Sequence, residues 1–373
     1  MKILFGSDVS VKEGTRNIKY FAERNAEKIF DDVLPLFKEV DETIVNLECA
    51  ITESSNKIKK GGPNLKAPYG TAETLKKAGI NYVGISNNHV YDFGRPGLID
   101  TVRELEKNGI QYTGIGKDVI DARKDLIIEK DGKKIAIIAV CEHEYSYALE
   151  DREGCREYDP YDTNDDIVEA KKNADFVVVM FHGGKEHCRY PSPRLLKACR
   201  SMVKHGADLV LCQHTHCIGC YEEYMGAHIL YGQGNFVFIE GGAPDELWDY
   251  CLLVKAQFGE KISLDFIPVK VNGDEGITLC KGEEKDKILN ELFERSKSIQ
   301  DGTWKEKWEE FCYSDGCRWY RFLPQELENR VAAMRECEAH NDVWKVLYKT
   351  HHYYNERYDE NGELIPREKQ EKK

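Results

Sequence analysis

The sequence has no excess of positive charge. Its 373 residues include 53 lysines and arginines against 66 aspartates and glutamates, which gives a formal net charge of −13. A general nucleic-acid binder needs a basic surface that neutralises backbone phosphates, so the composition argues against that class. An anionic substrate stays compatible with the sequence, because a metal ion or a local group of lysines can offset the net charge.

Long hydrophobic runs are also missing. No apolar stretch approaches the roughly 20 residues that span a bilayer, although 41% of the residues are hydrophobic and suffice for a sizeable core. The short apolar run at the N-terminus meets Asp8 early and has no small-residue cleavage site after it, unlike a secretory signal. We therefore expect a soluble, cytoplasmic protein without a membrane anchor.

The 13 cysteines lack the paired spacing of a zinc knuckle. Cys217 and Cys220 form one C-x-x-C, and the nearest second pair, Cys312 with Cys317, is more loosely spaced. A structural zinc site at these residues is the less favoured interpretation. The favoured one is reduced thiols that pack as small apolar side chains.

Short apolar runs alternate with amphipathic segments in the first part of the chain. Such runs are typical of strands covered on both faces, and they predict strands over residues 2–8, 43–48, 82–88, 134–140, 175–182 and 208–214. Proline at the start and glycine at the end mark predicted helices over 96–109 and 192–206. This alternation predicts an α/β domain with a largely parallel arrangement.

The pattern changes after residue 227. Runs over 228–238, 250–258 and 262–271 follow one another without a helix, which predicts antiparallel strands and hence mixed sheets. Beyond residue 282 the pattern becomes helical and aromatic. We predict a main domain over residues 1–275, a helical extension over 283–355 that packs on it, and a charged, flexible tail over 356–373.

Five predicted strands end in residues that bind metals well. Strand ends in α/β sheets converge on one rim, so residues distant in sequence can meet there. The residues at these ends are Asp8, Asn46, Glu48, Asn87, Asn88, His89, His182, His214 and His216. Two carboxylates, an amide oxygen and three imidazoles suit two divalent transition metals. A shared carboxylate, for which Glu48 is the candidate, lets such ions lie about 3.5–4 Å apart.

A metal pair of this kind clamps an anionic oxygen and lowers the pKa of a bridging water, which supports hydrolysis at neutral pH. An unligated histidine nearby, such as His89, can protonate a leaving group. Each residue also has a structural alternative: Asp8 as a helix N-cap, the asparagines as turn residues, and His182 as a hydrogen-bonded core histidine. The two histidines of HTH would share one face of a strict strand. The joint placement at five strand ends favours a metal site.

Several segments, taken together and in order, resemble the poly-γ-glutamate capsule biosynthesis family CapA, a branch of the calcineurin-like metallophosphoesterases. The resemblance covers about residues 2–270. The segments that carry it are GSDVS, NLECAIT, LKKAGINYVGISNNHVYDFGRPGLIDTVRELEKNGIQYTGIG, FHGGKEHCRYPSP, HTH and YGQGNFVF. It implies a four-layer α/β/β/α sandwich of metallophosphoesterase type, with mixed sheets and one or two divalent metal ions at the strand ends.

The resemblance also implies a role for each matching residue. His89 matches the acid histidine, and Asp92 is close enough in sequence to orient it. Asn235 matches a family position near the site. The implied metal ligands are Asp8, Glu48 as the bridge, Asn88, His182, His214 and His216.

Substrate contacts are predicted from local charge. The loop 56–68 holds four lysines and no acids, so it is a candidate receiver of a polyanion, with a solvated loop as the alternative. The candidate substrate-binding residues are Lys59, Lys60, Lys66, Arg189 and Asn235.

Three residues depart from the wider superfamily. Ser10 stands where a histidine ligand is usual, Glu48 replaces an aspartate, and Val90 stands where an aspartate follows the acid histidine. All three fit the CapA branch, but they put ordinary phosphoesterase activity in doubt.

The favoured function is a hydrolase that uses manganese, iron or zinc to cleave an anionic polymer, at a poly-γ-glutamate-type amide or a phosphoester. One alternative is a non-catalytic accessory or binding protein of poly-γ-glutamate metabolism. Another is a nucleic-acid phosphodiesterase, which the acidic composition disfavours.

Overall fold

A computed structural model describes residues 1–11, 14–60, 62–142, 145–240, 245–273 and 275–315. The described helices are α1 (Asn17–Ala22), α2 (Ala26–Phe30), α3 (Leu34–Lys38), α4 (Thr71–Ala78), α5 (Gly94–Lys107), α6 (Pro160–Asn173), α7 (Pro193–His205), α8 (Gly282–Asp301) and α9 (Trp304–Ser314). Among the described residues, no helix combines the length and the apolar character that crossing a bilayer requires.

The described strands are β1 (Lys2–Ser10), β2 (Glu42–Leu47), β3 (Ala50–Ile51), β4 (Lys66–Ala67), β5 (Tyr82–Gly84), β6 (Gln111–Thr113), β7 (Ile115–Gly116), β8 (Leu126–Lys130), β9 (Lys133–Cys141), β10 (Gly154–Cys155), β11 (Phe176–His182), β12 (Leu209–Gln213), β13 (Tyr221–Tyr224), β14 (Ala227–Leu230), β15 (Asn235–Phe238), β16 (Tyr250–Phe258), β17 (Ile262–Asn272) and β18 (Gly276–Leu279). All six strands predicted in the first part of the chain are present, with shifted ends.

Local sequence explains where the helices begin and end. In α7 the Ser192 side chain accepts a hydrogen bond from the Leu195 backbone N–H, and Pro193 fills the first helical position. Gly206 ends the helix with a positive φ, as its lack of a Cβ allows. The predicted helix over 192–206 therefore agrees with the structure to within a residue at each end.

Two mixed sheets form the body of the protein. The larger has the order β18-β17-β16-β1-β2-β5-β6, and β15 pairs in parallel with the second half of β1. The smaller has the order β13-β14-β12-β11-β9-β8. In the smaller sheet the central strands run parallel and antiparallel strands lie at both edges. In the larger sheet the parallel strands extend from β1 to the edge strand β6, and the antiparallel strands lie on the other side of β1.

Three apolar clusters define four layers. One cluster lies between the sheets and joins Ile3 and Phe5 of β1 to Val178 of β11. On the opposite face of β1, Leu4 packs with residues of helices α1 to α5. The face of β11 that points away from the larger sheet packs with helices α6 and α7. Alternate residues of one strand thus enter different cores, which explains the continuously apolar runs and confirms the predicted α/β/β/α sandwich.

The run over 228–238 is not the antiparallel strand that the sequence pattern predicts. It divides into β14, parallel to β12 in the smaller sheet, and β15, parallel to β1 in the larger one. The chain crosses between the sheets at Gln233 and Gly234. Gly234 has a φ of +82°, and a Cβ there would collide with the carbonyl oxygen of Tyr250. This glycine therefore permits the crossing.

Helix α8 lies along the edge of the sandwich. Its Leu292 enters the cluster between the sheets, and its Ser296 hydroxyl accepts a hydrogen bond from the Tyr221 backbone N–H at 2.8 Å. Residues 316–373 lie outside the described residues, so the tail over 356–373 and the proposed division into domains stay predictions.

Candidate metal centre

The carboxyl ends of strands from both sheets meet at one place. In the larger sheet, Asp8 of β1 lies opposite Asn46 of β2 and Asn235 of β15. In the smaller sheet, His182 ends β11 beside the end of β12. The predicted convergence of ligands from distant parts of the chain follows from this shared rim.

Asp8 is a buried carboxylate held by two donors. Its Oδ1 accepts a hydrogen bond from Asn46 Nδ2 at 2.7 Å, and its Oδ2 accepts one from the His214 backbone N–H at 3.0 Å. Burial nevertheless raises the pKa of Asp8 to about 7, since two hydrogen bonds do not fully replace the lost hydration of the charge. Asp8 is part of β1, not a helix cap.

Glu48 is fully buried, and neither of its carboxylate oxygens has a hydrogen-bond partner among the described residues. Its Oε1 lies 3.4 Å from His182 Nε2. Burial, reinforced by the charges of Asp8 and Glu186, raises the pKa of Glu48 well above its ordinary value. A buried carboxylate without donors is costly, and a nearby cation relieves that cost.

His182 is surrounded by polar atoms from the larger sheet. Its Nε2 lies 2.9 Å from Asn88 Oδ1, and its Nδ1 lies 3.1 Å from Asn46 Nδ2. Asn87 supports this set by donating to Asn46 Oδ1 at 3.3 Å and to the Leu47 carbonyl oxygen at 2.8 Å. Asn46 and Asn87 thus act as supports behind Asp8 and His182.

The two histidines of HTH lie in a loop, not on a strand face. Strand β12 ends at Gln213, and both His214 and His216 have positive φ values, of 77° and 55°. The prediction that strand alternation aligns them is therefore wrong. The left-handed backbone at His214 accompanies the turn that directs its N–H to Asp8.

His216 has a defined orientation. Its Nδ1 lies 2.9 Å from Asn235 Oδ1, and the Asn235 amide donates to the Trp248 carbonyl oxygen at 3.1 Å. The Trp248 ring lies beside the imidazole, with centroids 4.4 Å apart. Burial lowers the pKa of His216 to about 4, so the ring is neutral and Nε2 is left to bind a metal. Asn235 is buried, with both ends of its amide engaged inside the protein, which favours positioning over substrate contact.

His89 lies in a buried network with an acid and a lysine. Its Nδ1 is 2.6 Å from Asp92 Oδ2 and 3.1 Å from Lys60 Nζ. Lys60 also forms an ion pair with Asp92 Oδ1, and its side chain is only 2% exposed. Burial lowers the pKa of His89. The structure thus places Asp92 where it orients His89, and places Lys60 behind that histidine instead of on an open surface.

Replacing Lys60 with methionine is expected to cost about 3 kcal/mol of stability, because the buried Asp92 carboxylate loses its cation. The double variant Lys60→Met/Asp92→Asn is expected to recover part of the loss. Urea unfolding measures both. The matched control is Lys172→Met, whose ion pair with Glu169 joins two side chains that are 63% and 66% exposed, and no measurable change is expected there. Equal losses in both lysine variants would contradict the role given to Lys60.

The remaining predicted substrate residues are dispersed. Lys59 is exposed, and Lys66 donates to the Ser54 carbonyl oxygen at 3.0 Å. Arg189 lies beside α8, with its guanidinium 3.2 Å from the Glu246 carbonyl oxygen. A polyanion contact through these three side chains stays a prediction.

Sequence reasoning missed Glu186, which lies close to the site. Its Oε1 is 3.8 Å from His214 Nε2, and its side chain is 37% exposed. It follows His182 by four residues, but loop residues have no periodicity that would indicate which of them faces the site. Ser10 is fully buried at the end of β1, and its hydroxyl has no hydrogen-bond partner among the described residues.

The donor set fits a pair of divalent ions. Two groups of three residues share Glu48, and within each group the ligand atoms all lie within 4.8 Å of one another. The first group is Asp8, Glu48 and His182, and the second is Glu48, His214 and His216. Carboxylate and imidazole donors are typical of transition-metal sites. The Glu48 carboxylate, which belongs to both groups, would be able to ligate both ions.

One known family matches the part of the chain that carries this arrangement. Residues 2–240 match the family described as bacterial capsule synthesis protein PGA_cap. The match begins in β1 and ends just after β15, so it includes every residue of both ligand groups.

Curated relatives resemble the same part of the chain. The PGA biosynthesis protein CapA of Bacillus subtilis (strain 168) is 32% identical over 227 residues, 60% of each chain. The capsule biosynthesis protein CapA of Bacillus anthracis is 29% identical over 236 residues, 61% of this chain and 57% of its own. The alignments thus span roughly three fifths of the length of these relatives.

Solved structures resemble the chain more remotely. A hypothetical protein from Thermus thermophilus is 16% identical, covers 71% of this chain and 98% of its own, and has a TM-score of 0.44. A 5'-nucleotidase precursor from the same organism is 12% identical, covers 78% of this chain and 57% of its own, and has a TM-score of 0.42. The assignment of the layered fold therefore comes from the sheets and apolar clusters of this chain, described above.

Proposed function

This chain belongs to the bacterial capsule synthesis protein family PGA_cap, and we propose that it is a metal-dependent hydrolase of an anionic polymer. The substrate is a poly-γ-glutamate-type chain cut at an amide, or a phosphoester. The Bacillus relatives are named for PGA and capsule biosynthesis, which supports the first of these substrates.

The observation that carries the proposal is the position of Glu48. Its carboxylate is buried without a hydrogen-bond partner among the described residues, and it belongs to both ligand groups. A purely structural glutamate would be paired or exposed. One group would hold an ion through Asp8 and His182, the other through His214 and His216, and Asn88 lies close enough to His182 to complete the first.

Divalent ions in such a site supply Lewis acidity and lower the pKa of a bound water. The chain's own residues supply the rest. Asn235 and Asn46 fix the rings of His216 and His182 through the contacts described above. Asp92 accepts a hydrogen bond from His89 Nδ1, so Nε2 of the neutral ring has a free lone pair. To act as a general acid the ring would first take up a proton at Nε2, and the Asp92 carboxylate would stabilise the resulting cation.

A second function, a non-catalytic accessory protein that binds the polymer, is favoured by one observation. Ser10 replaces a histidine ligand of the wider superfamily, and its buried hydroxyl has no partner among the described residues. The Mycobacterium tuberculosis relative, 27% identical over 252 residues, is named a probable polyglutamine synthesis accessory protein. Loss of one ligand would weaken one of the two ion positions.

Metal content per chain is the first test. Protein purified without chelators is expected to retain one or two equivalents of manganese, iron or zinc, and the variant His214→Ala/His216→Ala is expected to lose at least one of them. Mass spectrometry of the metals measures both. Equal metal content in the two proteins would remove the proposed site.

Turnover separates the enzyme from the accessory protein. The variant His89→Ala is expected to retain its metal and to bind polyglutamate, but to lose hydrolysis by about 100-fold or more, as removal of a general acid does. Polyglutamate and model phosphodiesters are the substrates to assay. Wild-type protein that binds metal and polymer without hydrolysing either substrate would support the accessory function instead.

A further inference from the structure

Four cysteines from three separate segments lie on the side of the molecule that carries α8 and α9. Cys188 precedes α7, Cys217 and Cys220 follow β12, and Cys312 lies in α9. The first three are buried, Cys312 is half-buried, and no disulfide links any two of them. None of the four belongs to the ligand groups around Glu48.

The Cys220 side chain contacts the backbone next to Cys188. The Cys220 Sγ lies 3.5 Å from the carbonyl oxygen of Arg189, the residue next to Cys188. Arg295 of α8 holds the loop between its two cysteines, by donating to the carbonyl oxygens of Ile218 at 3.0 Å and Gly219 at 2.9 Å.

Helix α9 brings Cys312 to the same place. Its Trp304 and Trp308 pack with the apolar cluster that includes Cys220, and Tyr190 packs there as well. The thiols also affect one another. Burial raises the pKa of Cys188 to about 12, and the nearby thiols of Cys217, Cys312 and Cys220 reinforce that shift.

Two cations accompany the thiols. Arg295 contacts the loop between Cys217 and Cys220, and Arg189 directly follows Cys188. Nearby guanidinium groups stabilise thiolates, which are the forms that bind metal. A different pair of thiols, Cys199 of α7 and Cys212 of β12, has Sγ atoms 3.6 Å apart in the apolar core, and among the described residues it belongs to no group of three possible ligands.

We propose that Cys188, Cys217, Cys220 and Cys312 form a second metal site, of the four-thiolate type that binds zinc, and that the bound ion fastens α9 to the main domain. Tetrahedral coordination by four cysteines is typical of structural zinc. Binding transfers a proton from each thiol to solvent and moves no electrons. The sequence favoured packed thiols because no closely spaced second pair of cysteines accompanies Cys217 and Cys220. In the proposed site, Cys188 and Cys312, which are distant in sequence, take the place of that pair. Cys317 lies outside the described residues.

The thiols need to close around the ion. In the described part of the chain, no three of these sulfur atoms lie within 4.8 Å of one another, so capture requires rotation about Cα–Cβ bonds. Metal binding is therefore expected to tighten the packing of α9, which gives a second readout beside the metal itself.

Cobalt substitution tests the proposal on the full chain. Protein stripped under reducing conditions and loaded with Co²⁺ is expected to show thiolate-to-cobalt charge-transfer absorption, which the histidine and carboxylate ligands around Glu48 do not produce. The variants Cys217→Ser/Cys220→Ser and Cys312→Ser are expected to lose that absorption. The control Cys280→Ser, a buried cysteine next to β18, is expected to keep it. Hydrogen exchange of α9 is expected to slow on addition of zinc in wild type and control only.

The two variants guard against misfolding. Cys312 is half-buried on a helix, so its serine variant is expected to keep the wild-type circular dichroism even if the loop variant does not. Full charge-transfer absorption in Cys312→Ser would overturn the four-thiolate site, as would its absence from cobalt-saturated wild type. Neither result depends on the Glu48 site, because His214→Ala/His216→Ala is expected to retain the absorption.

Discussion

Replacing Glu48 with glutamine is expected to remove the retained metal without weakening the metal-free fold. A neutral amide would be a poor ligand to two cations. Metal affinity is therefore expected to fall by more than the roughly 100-fold that follows loss of a residue hydrogen-bonded to a ligand. The measurements are metal content after dialysis and urea unfolding in the presence of a chelator. The free energy of unfolding of the chelated variant is expected to equal or exceed that of the chelated wild type, because the Glu48 carboxylate has no hydrogen-bond partner among the described residues.

The control for this prediction is Glu104→Gln in α5. Glu104 is also buried, 8% exposed, but it is paired with Lys107 and lies outside both ligand groups. This variant is expected to keep its metal. A chelated Glu48→Gln protein that is clearly less stable than chelated wild type would mean that Glu48 supports the fold, and would contradict its assignment as a metal bridge.

Much of the site follows from the sequence because strands impose order. Continuous apolar runs predict strands buried on both faces, and the polar residues that end them must then lie on one rim. Asp8, Glu48 and His182 lie together for this reason. The family predicted from the ordered motifs is confirmed by the match over residues 2–240.

Loops and side-chain networks are less predictable. The HTH histidines meet through left-handed backbone conformations, which no hydrophobic pattern encodes. Lys60 belongs to a loop that looks solvated from its composition, yet the fold buries its ammonium group against Asp92. The split of residues 228–238 between two sheets likewise depends on Gly234 and its tertiary neighbours.

The last prediction concerns Asp8 and pH. Burial raises the pKa of Asp8 from 3.8 to about 7 in the metal-free protein. The folded state therefore holds a proton that the unfolded state releases, and stability that is full below about pH 4 is lost as the pH rises to about 7. The loss attributable to Asp8 is on the order of 4 kcal/mol. His216 has the opposite effect, because its folded pKa of about 4 lies below its ordinary value of 6.5 and its contribution to stability rises over much of the same range.

A difference measurement removes the contribution of groups that titrate alike in both proteins, such as His216. Glu48 is coupled to Asp8, because the charge of Asp8 helps to raise the pKa of Glu48, so the difference reports on this pair of carboxyl groups. Chelated wild type and chelated Asp8→Asn are unfolded in urea at a series of pH values. The free energy of unfolding of the variant, relative to that of wild type, is expected to increase steadily from about pH 4 to about pH 7. Added manganese is expected to restore the stability of wild type near neutral pH and to leave the stability of the variant unchanged. The reason is that a metal ion binds the ionised carboxylate, which the metal-free protein tolerates poorly. A difference between the two proteins that does not vary with pH would show that the Asn46 and His214 hydrogen bonds already compensate the charge. Asp8 would then be ionised in the folded protein with or without metal, and the stability cost that we attribute to the site would not exist.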